Sequence, residues 1–217
     1  MTGAEEIPID SSSPTERALR PVFDASALPT VVFGSRAATW WGTVGFMVAE
    51  AATLGACLAS YYYVRRNYVT WPPLRTSPPD LFLPTVSLVV LLLFLIPNYL
   101  YGRAAKKMDR PRTSRWLWVA VTMMFVALGL RFAEFSSLNV RWDANAYASV
   151  TWMIVFAHFT LLVVDAVETL IFAIMVQRDA APARHYPGVT EDAFYSYFMV
   201  LLWIPCYVTV YLVPRWV

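Results

Sequence analysis

Six ionisable side chains stand inside long apolar stretches of this sequence: Glu50, Arg131, Glu134, His158, Asp165 and Glu168. A charge at the centre of a bilayer costs at least about 2.5–3.5 kcal/mol, so each asks for a partner or a purpose. Arg131 and Glu134 are three apart, so on a helix their side chains can meet as a self-neutralising pair near a membrane face. A lipid-headgroup site is the alternative for that pair. His158, Asp165 and Glu168, spaced seven and three apart, make one polar stripe on a helix face. Such a stripe can serve as a hydrogen-bonded seam between helices or as a path for protons or ions. With Glu50 added it resembles in type a carboxylate-rich metal site, although no Glu-x-x-His pair is present to support that use. Glu50 lies among Gly45, Ala49, Ala52 and Gly55, which allow another helix close approach. An acid there is either neutral, buried and hydrogen-bonded, or faces a lipid headgroup or a water-filled cleft.

Other chemistries lack their residues. Two histidines, His158 and His185, are too few for a redox centre resting on histidine ligands. There is no GxxxxGK[ST] phosphate loop, no HExxH and no CxxC. Cys57 and Cys206 both fall in apolar runs and read as small buried hydrophobes. A net charge of +2 gives no reason to expect a nucleic-acid partner. No catalytic residue and no bound metal or cofactor is expected of the chain by itself.

The elements that must position these residues are membrane helices. Of 217 residues, 58% are hydrophobic and only 15% charged, against about a quarter charged in soluble domains. Five apolar runs cover about Thr39–Val64, Leu81–Arg103, Trp116–Leu138, Tyr147–Val176 and Ala193–Val213. Each has roughly the 20 residues needed to span the hydrocarbon as a helix, the form that satisfies its own backbone. The sequence therefore predicts an all-α fold: residues 1–36 as a polar tail, disordered or ordered on a partner, and residues 37–217 as a five-helix transmembrane domain. The tail has neither the basic start nor the apolar core of a signal peptide. Pro97 and Pro205, in the second and fifth runs, should each kink the helix or mark where it begins to end. Arg103, Lys106, Lys107, Arg110, Arg112 and Arg115 cluster between runs two and three, which places that loop, and with it the N-terminus, on the cytoplasmic side.

Several segments resemble haem-copper oxidase subunit III. WGTVGFMVAEAATLGACLASYYY (Trp41–Tyr63) is similar to that family's first core helix, with Glu50 on its acid. LPTVSLVVLL (Leu83–Leu92) is similar to the opening of the next helix, and LGLRFAEF (Leu128–Phe135) places Glu134 on a family glutamate. SVTWMIVFAH (Ser149–His158) places His158 on a family histidine, and HYPGVTEDAFYSYFMVLLWIPCYVTVY (His185–Tyr211) resembles the closing helix. The likeness covers residues 40–213 in order, with departures: Arg131 stands where the family has glutamine, Leu161 replaces a second histidine, and Asp165 replaces a glycine.

The resemblance implies a divergent, non-catalytic subunit III of a respiratory terminal oxidase in a plasma or inner membrane. Helices 1 and 2 would be set apart from 3 to 5 by a V-shaped cleft holding structural phospholipid. Glu50, Arg131, Glu134 and His158 would be lipid-contacting, packing or proton-related residues. Subunits I and II would be the partners, with haem and copper held there. The chain would stabilise the catalytic subunit and support proton uptake. The alternatives are a subunit III-like protein of another redox complex, a nitric oxide reductase or quinol oxidase, and a stand-alone proton or ion carrier using His158, Asp165 and Glu168.

Overall fold

The computed structural model describes residues 31–178 and 182–216, and the tail up to residue 30 lies outside them. Five long helices follow a 3-10 turn at Gly34–Arg36: α1 (Ala38–Arg65), α2 (Phe82–Lys106), α3 (Arg110–Glu134), α4 (Ala146–Gln177) and α5 (Tyr186–Tyr207). No strand occurs among the described residues. All five, with their flanking turns, are long and apolar enough to cross a membrane. The fold is an all-α, multi-pass membrane bundle.

Two helices begin well before their apolar runs. α3 starts at Arg110, six residues before Trp116, because the Asp109 side chain accepts from the Arg112 amide at 3.2 Å and Pro111 occupies the first turn. Its first turns carry arginines, so they give no apolar signal. α5 starts at Tyr186 rather than Ala193, again with a proline in the first turn. α2 continues through Pro97, and α5 passes Pro205 into a π-helical stretch, Val208–Leu212, and a last α-helical turn, Val213–Trp216. Pro205 offers no N–H to the carbonyl of Leu201, and the widened turn follows directly.

α2 packs along α3 most extensively, and α3 also packs on α4. α5 contacts α1, α2 and α4, while α1 rests on α4 and α5. This pairing replaces the expected grouping of helices 1 and 2 apart from 3 to 5. The cause lies on α2, whose buried face of Asn98, Tyr101, Gly102, Ala104 and Ala105 fits its neighbours too closely to stand away from them. Asn98 donates to the Ala193 carbonyl at 2.9 Å, and Gly102 leaves so little room that a Cβ there would lie 3.0 Å from that of Ala193.

The helix ends are tied at both faces. Arg110 donates to the carbonyls of Val176 and Gln177 at 3.0 and 2.8 Å, satisfying groups that the end of α4 would leave orphaned. At the opposite face, the Asp80 amide donates to the Ser137 carbonyl at 2.9 Å. Tyr61, Trp71 and Tyr147 pack edge to face there, with Trp71 Nε1 donating to the Tyr61 hydroxyl at 2.8 Å. Outside the spans, hydrogen bonds from Arg141 hold the Asp143 carboxyl below its usual range. That pair is exposed and adds little to the fold.

Candidate functional site

The bundle gathers its polar residues into two groups, and α5 belongs to both. The first joins α3, α4 and α5. Arg131 Nη1 donates to both carboxylate oxygens of Glu134 at 2.7 Å, and both side chains are fully buried. The Tyr211 hydroxyl donates to Glu134 Oε1 as well. The guanidinium lies over the Trp203 ring, 3.7 Å from its centroid, a cation–π contact strengthened by the absence of water. The His158 ring stands 4.5 Å from that of Trp203, and its Nε2 donates to the Met199 carbonyl at 3.2 Å. A carbonyl can only accept, so Nε2 carries the proton of this bond.

The second group is acidic and lies nearer the ends of α2 and α4 and the start of α5. Tyr195 donates to both oxygens of Glu50 at 2.9 Å. Ser196 donates to Asp165 at 3.1 Å. Asp192 accepts from Tyr101 at 2.8 Å and from Thr169 at 3.1 Å. Thr39 donates to Glu191 at 2.8 Å. Glu50, Asp165, Glu191 and Asp192 are buried, whereas Glu168 faces outward. Among the described residues none of these five acids is in an ion pair. Hydroxyl groups are the partners of the four buried acids, an arrangement that can stabilise a carboxylate or pass a proton to one. No group of three or more His, Cys, Asp or Glu among the described residues is placed to hold a metal ion.

The stripe expected on α4 therefore divides. His158 joins the Arg131–Glu134 group, Asp165 meets Ser196, and Glu168 is exposed. Glu50, four helices away in the sequence from Tyr195, is brought to it by the packing of α1 on α5. Sequence reasoning missed Glu191 and Asp192 because the fifth apolar run was begun at Ala193. The His185-Tyr186-Pro187-Gly188 segment, with proline in a first helical turn, was the available signal for an earlier start. Tyr101 and Tyr211 were missed because a tyrosine in an apolar run looks like any other aromatic until its hydroxyl finds an acid.

No family model matches the chain. It is similar to the cytochrome c oxidase subunit 3 of Thermostichus vulcanus, 26% identical over 179 residues, 80% of this chain and 87% of that protein. It is also similar to the cytochrome c oxidase subunit 3 of a Synechocystis strain, 25% identical over 182 residues, 79% of this chain and 74% of that protein.

Proposed function

We propose, taking the chain as the divergent cytochrome c oxidase subunit 3 that these two relatives support, that it is the non-catalytic subunit III of a haem-copper terminal oxidase. What supports the reading is a likeness running over about four fifths of the chain, together with a bundle of five membrane-crossing helices. As an oxidase subunit the chain works inside a multi-subunit complex. Its finer role is to seal one flank of the catalytic subunit I, beside subunit II, and to support proton uptake there from a plasma or inner membrane.

The face of α1 is the docking surface in this reading. Only 17% of its most apolar window is buried, against 56% for the last span. Gly42, Gly45, Ala49, Ala52 and Ala56 are exposed, and a Cβ on Gly42, Gly45 or Gly55 would meet nothing of this chain. Small residues unused within the chain suit the close approach of a helix from another subunit. Glu50, on the buried side of the same helix, then sits one helix thickness from the partner. The acidic group around it would hold and pass protons toward the catalytic subunit through its hydroxyl partners.

Purification of the tagged chain in mild detergent, with a visible spectrum and mass spectrometry of the companions, tests the reading. Haem bands and a stoichiometric histidine-rich polytopic subunit are the expected result, and the identity of that subunit names the complex. A colourless chain that purifies alone overturns it. The acids without an ion pair favour one second reading, a stand-alone proton carrier. In that case the reconstituted chain alone would dissipate a pH gradient across liposomes, which an accessory subunit would not do.

A further inference from the structure

The face opposite the Arg103–Arg115 cluster carries the loop between α1 and α2, residues 66–81. Arg65 ends α1 there, and Arg66 and Arg75 lie in the loop, against one acid, Asp80. Among the described residues none of these arginines is in an ion pair, and Arg66 and Arg75 are exposed. Basic residues in short loops favour the cytoplasmic side, so arginines on the opposite side run against insertion and ask for another use. Asp80 already accepts from Asn139 at 3.0 Å. The loop itself is tied down. Trp71 is buried against Tyr61 and Tyr147. Asn145 donates to the Thr76 hydroxyl at 3.2 Å, Asn139 to the Pro78 carbonyl at 3.2 Å, and Arg215 to the Pro79 carbonyl. On this fixed frame Val69 is fully exposed and Leu74 is 83% exposed. An apolar centre with a charged rim is the anatomy of a protein interface. Lipid headgroups can meet an arginine at any helix end, and they give no use to an anchored loop with two apolar side chains outside the helices. The loop also continues the open face of α1, where Gly45, Ala49, Ala52, Ala56, Tyr63 and Arg66 are exposed and follow one another at helical spacing.

We propose that this loop docks an acid-rich extramembrane segment of the subunit that packs on α1, with Val69 and Leu74 at the centre of the contact and Arg65, Arg66 and Arg75 on its rim. The unpaired arginines set the charge of the occupant, and the unbroken stripe from Gly45 to Arg66 sets which subunit supplies it. The proposal rests on the reading of the chain as a subunit of a larger complex. An exposed ion pair contributes at most about fivefold to an equilibrium, so three give up to about a hundredfold. That contribution fades at about 1 M salt, where the Debye length is about 3 Å.

The test uses the full chain in the native membrane. The photoreactive amino acid benzoylphenylalanine replaces Leu74, the membranes are irradiated, and mass spectrometry maps the adduct. The expected adduct lies on an extramembrane segment of the co-purifying subunit in which Asp and Glu outnumber Lys and Arg. Its yield should fall by at least about tenfold in R66E/R75E and in the parent chain at about 1 M salt. R112Q/R115Q, on the opposite face, should leave the yield unchanged. Should R66E/R75E fail to fold, the salt dependence of the parent chain decides the matter by itself. An adduct on phospholipid alone overturns the proposal and marks a loop that faces the membrane. A protein adduct without an acidic excess, a yield indifferent to salt, and no adduct at all each overturn it too. The companions of the purified chain are identified separately in mild detergent. A chain with no companion defeats the subunit reading, whereas a retained companion without the acidic adduct defeats only this proposal.

Discussion

Removing Glu134 should unbalance the bundle far more than removing Arg131 and Glu134 together. In Glu134→Leu the guanidinium keeps its place over Trp203 but loses both 2.7 Å bonds, with no solvent to replace them. An arginine cannot shed its charge, and stranding one member of a buried pair costs about 3–5 kcal/mol. Tyr211 loses its acceptor as well, adding about 1–3 kcal/mol if the hydroxyl finds no other. Against a total stability of about 5–15 kcal/mol this is a large fraction. Arg131→Met should cost less, because a carboxylic side chain can be carried neutral with Tyr211 still bonded to it. The double variant Arg131→Met/Glu134→Leu replaces a buried pair by apolar side chains, a change that is often neutral or stabilising. Unfolding of the chain in mixed micelles, followed by circular dichroism across the four proteins, closes the double-mutant cycle. The expected coupling is at least about 2 kcal/mol. Additive losses, with the double variant the least stable of the four, would refute the reasoning that the two side chains are retained as a pair.

Other consequences follow from the two polar groups and the open helix. Glu50→Gln should leave the complex assembled but shorten its active life during turnover, read as the decay of oxygen consumption over time; equal decay in the variant and the parent counts against a role in proton supply. Gly45→Leu/Ala49→Leu fills the open face of α1 and should abolish co-purification of the haem-bearing subunit while the chain itself stays helical by circular dichroism. Retention of the partner would place the docking surface elsewhere. Tyr195→Phe leaves Glu50 buried without its donor and should cost about 1–3 kcal/mol of stability in the same micelle assay. Asp143→Asn breaks only an exposed pair and should leave stability unchanged, which makes it the control for the series.

The spans were legible because hydropathy reports the solvent each segment meets, and a run of some 20 apolar residues has few other uses. The Arg131–Glu134 pair was legible for a local reason, since three residues fix the reach of both side chains on one helix. What could not be read was anything decided by the packing of distant helices. His158 and Asp165 share a face of α4, yet seven residues carry them about 10 Å apart along the axis. At one level the facing residue of α5 is Trp203, and at the other it is Ser196. Their partners, and so their roles, differ although their spacing suggests one stripe. The pairing of α2 with α3 and α5 was hidden likewise, because Gly102, Ala104 and Ala105 carry no hydrophobic signal of their own and act by what they omit.

α5 is the element through which these local facts become one arrangement. Its first turns hold Glu191 and Asp192, its middle holds Tyr195, Ser196, Met199 and Trp203, and its π-helical stretch holds Thr209 and Tyr211. Every acid of the inner group except the outward-facing Glu168 is either on α5 or bonded to it, and the Arg131–Glu134 pair is covered by Trp203 and Tyr211. Thr209, Val210 and Tyr211 are buried in succession, which a regular helix with one inward stripe does not provide. The π turn after Pro205 lets adjacent residues serve different neighbours, Thr209 the Tyr62 hydroxyl of α1 at 3.2 Å and Tyr211 the Glu134 of α3. Replacing Pro205 with alanine would restore the missing N–H and favour a regular turn there. If the π stretch positions Tyr211, Pro205→Ala should weaken the Tyr211–Glu134 contact and reduce the loss caused by a following Tyr211→Phe. An undiminished Tyr211→Phe effect in the alanine background would show that the tyrosine is placed by packing alone.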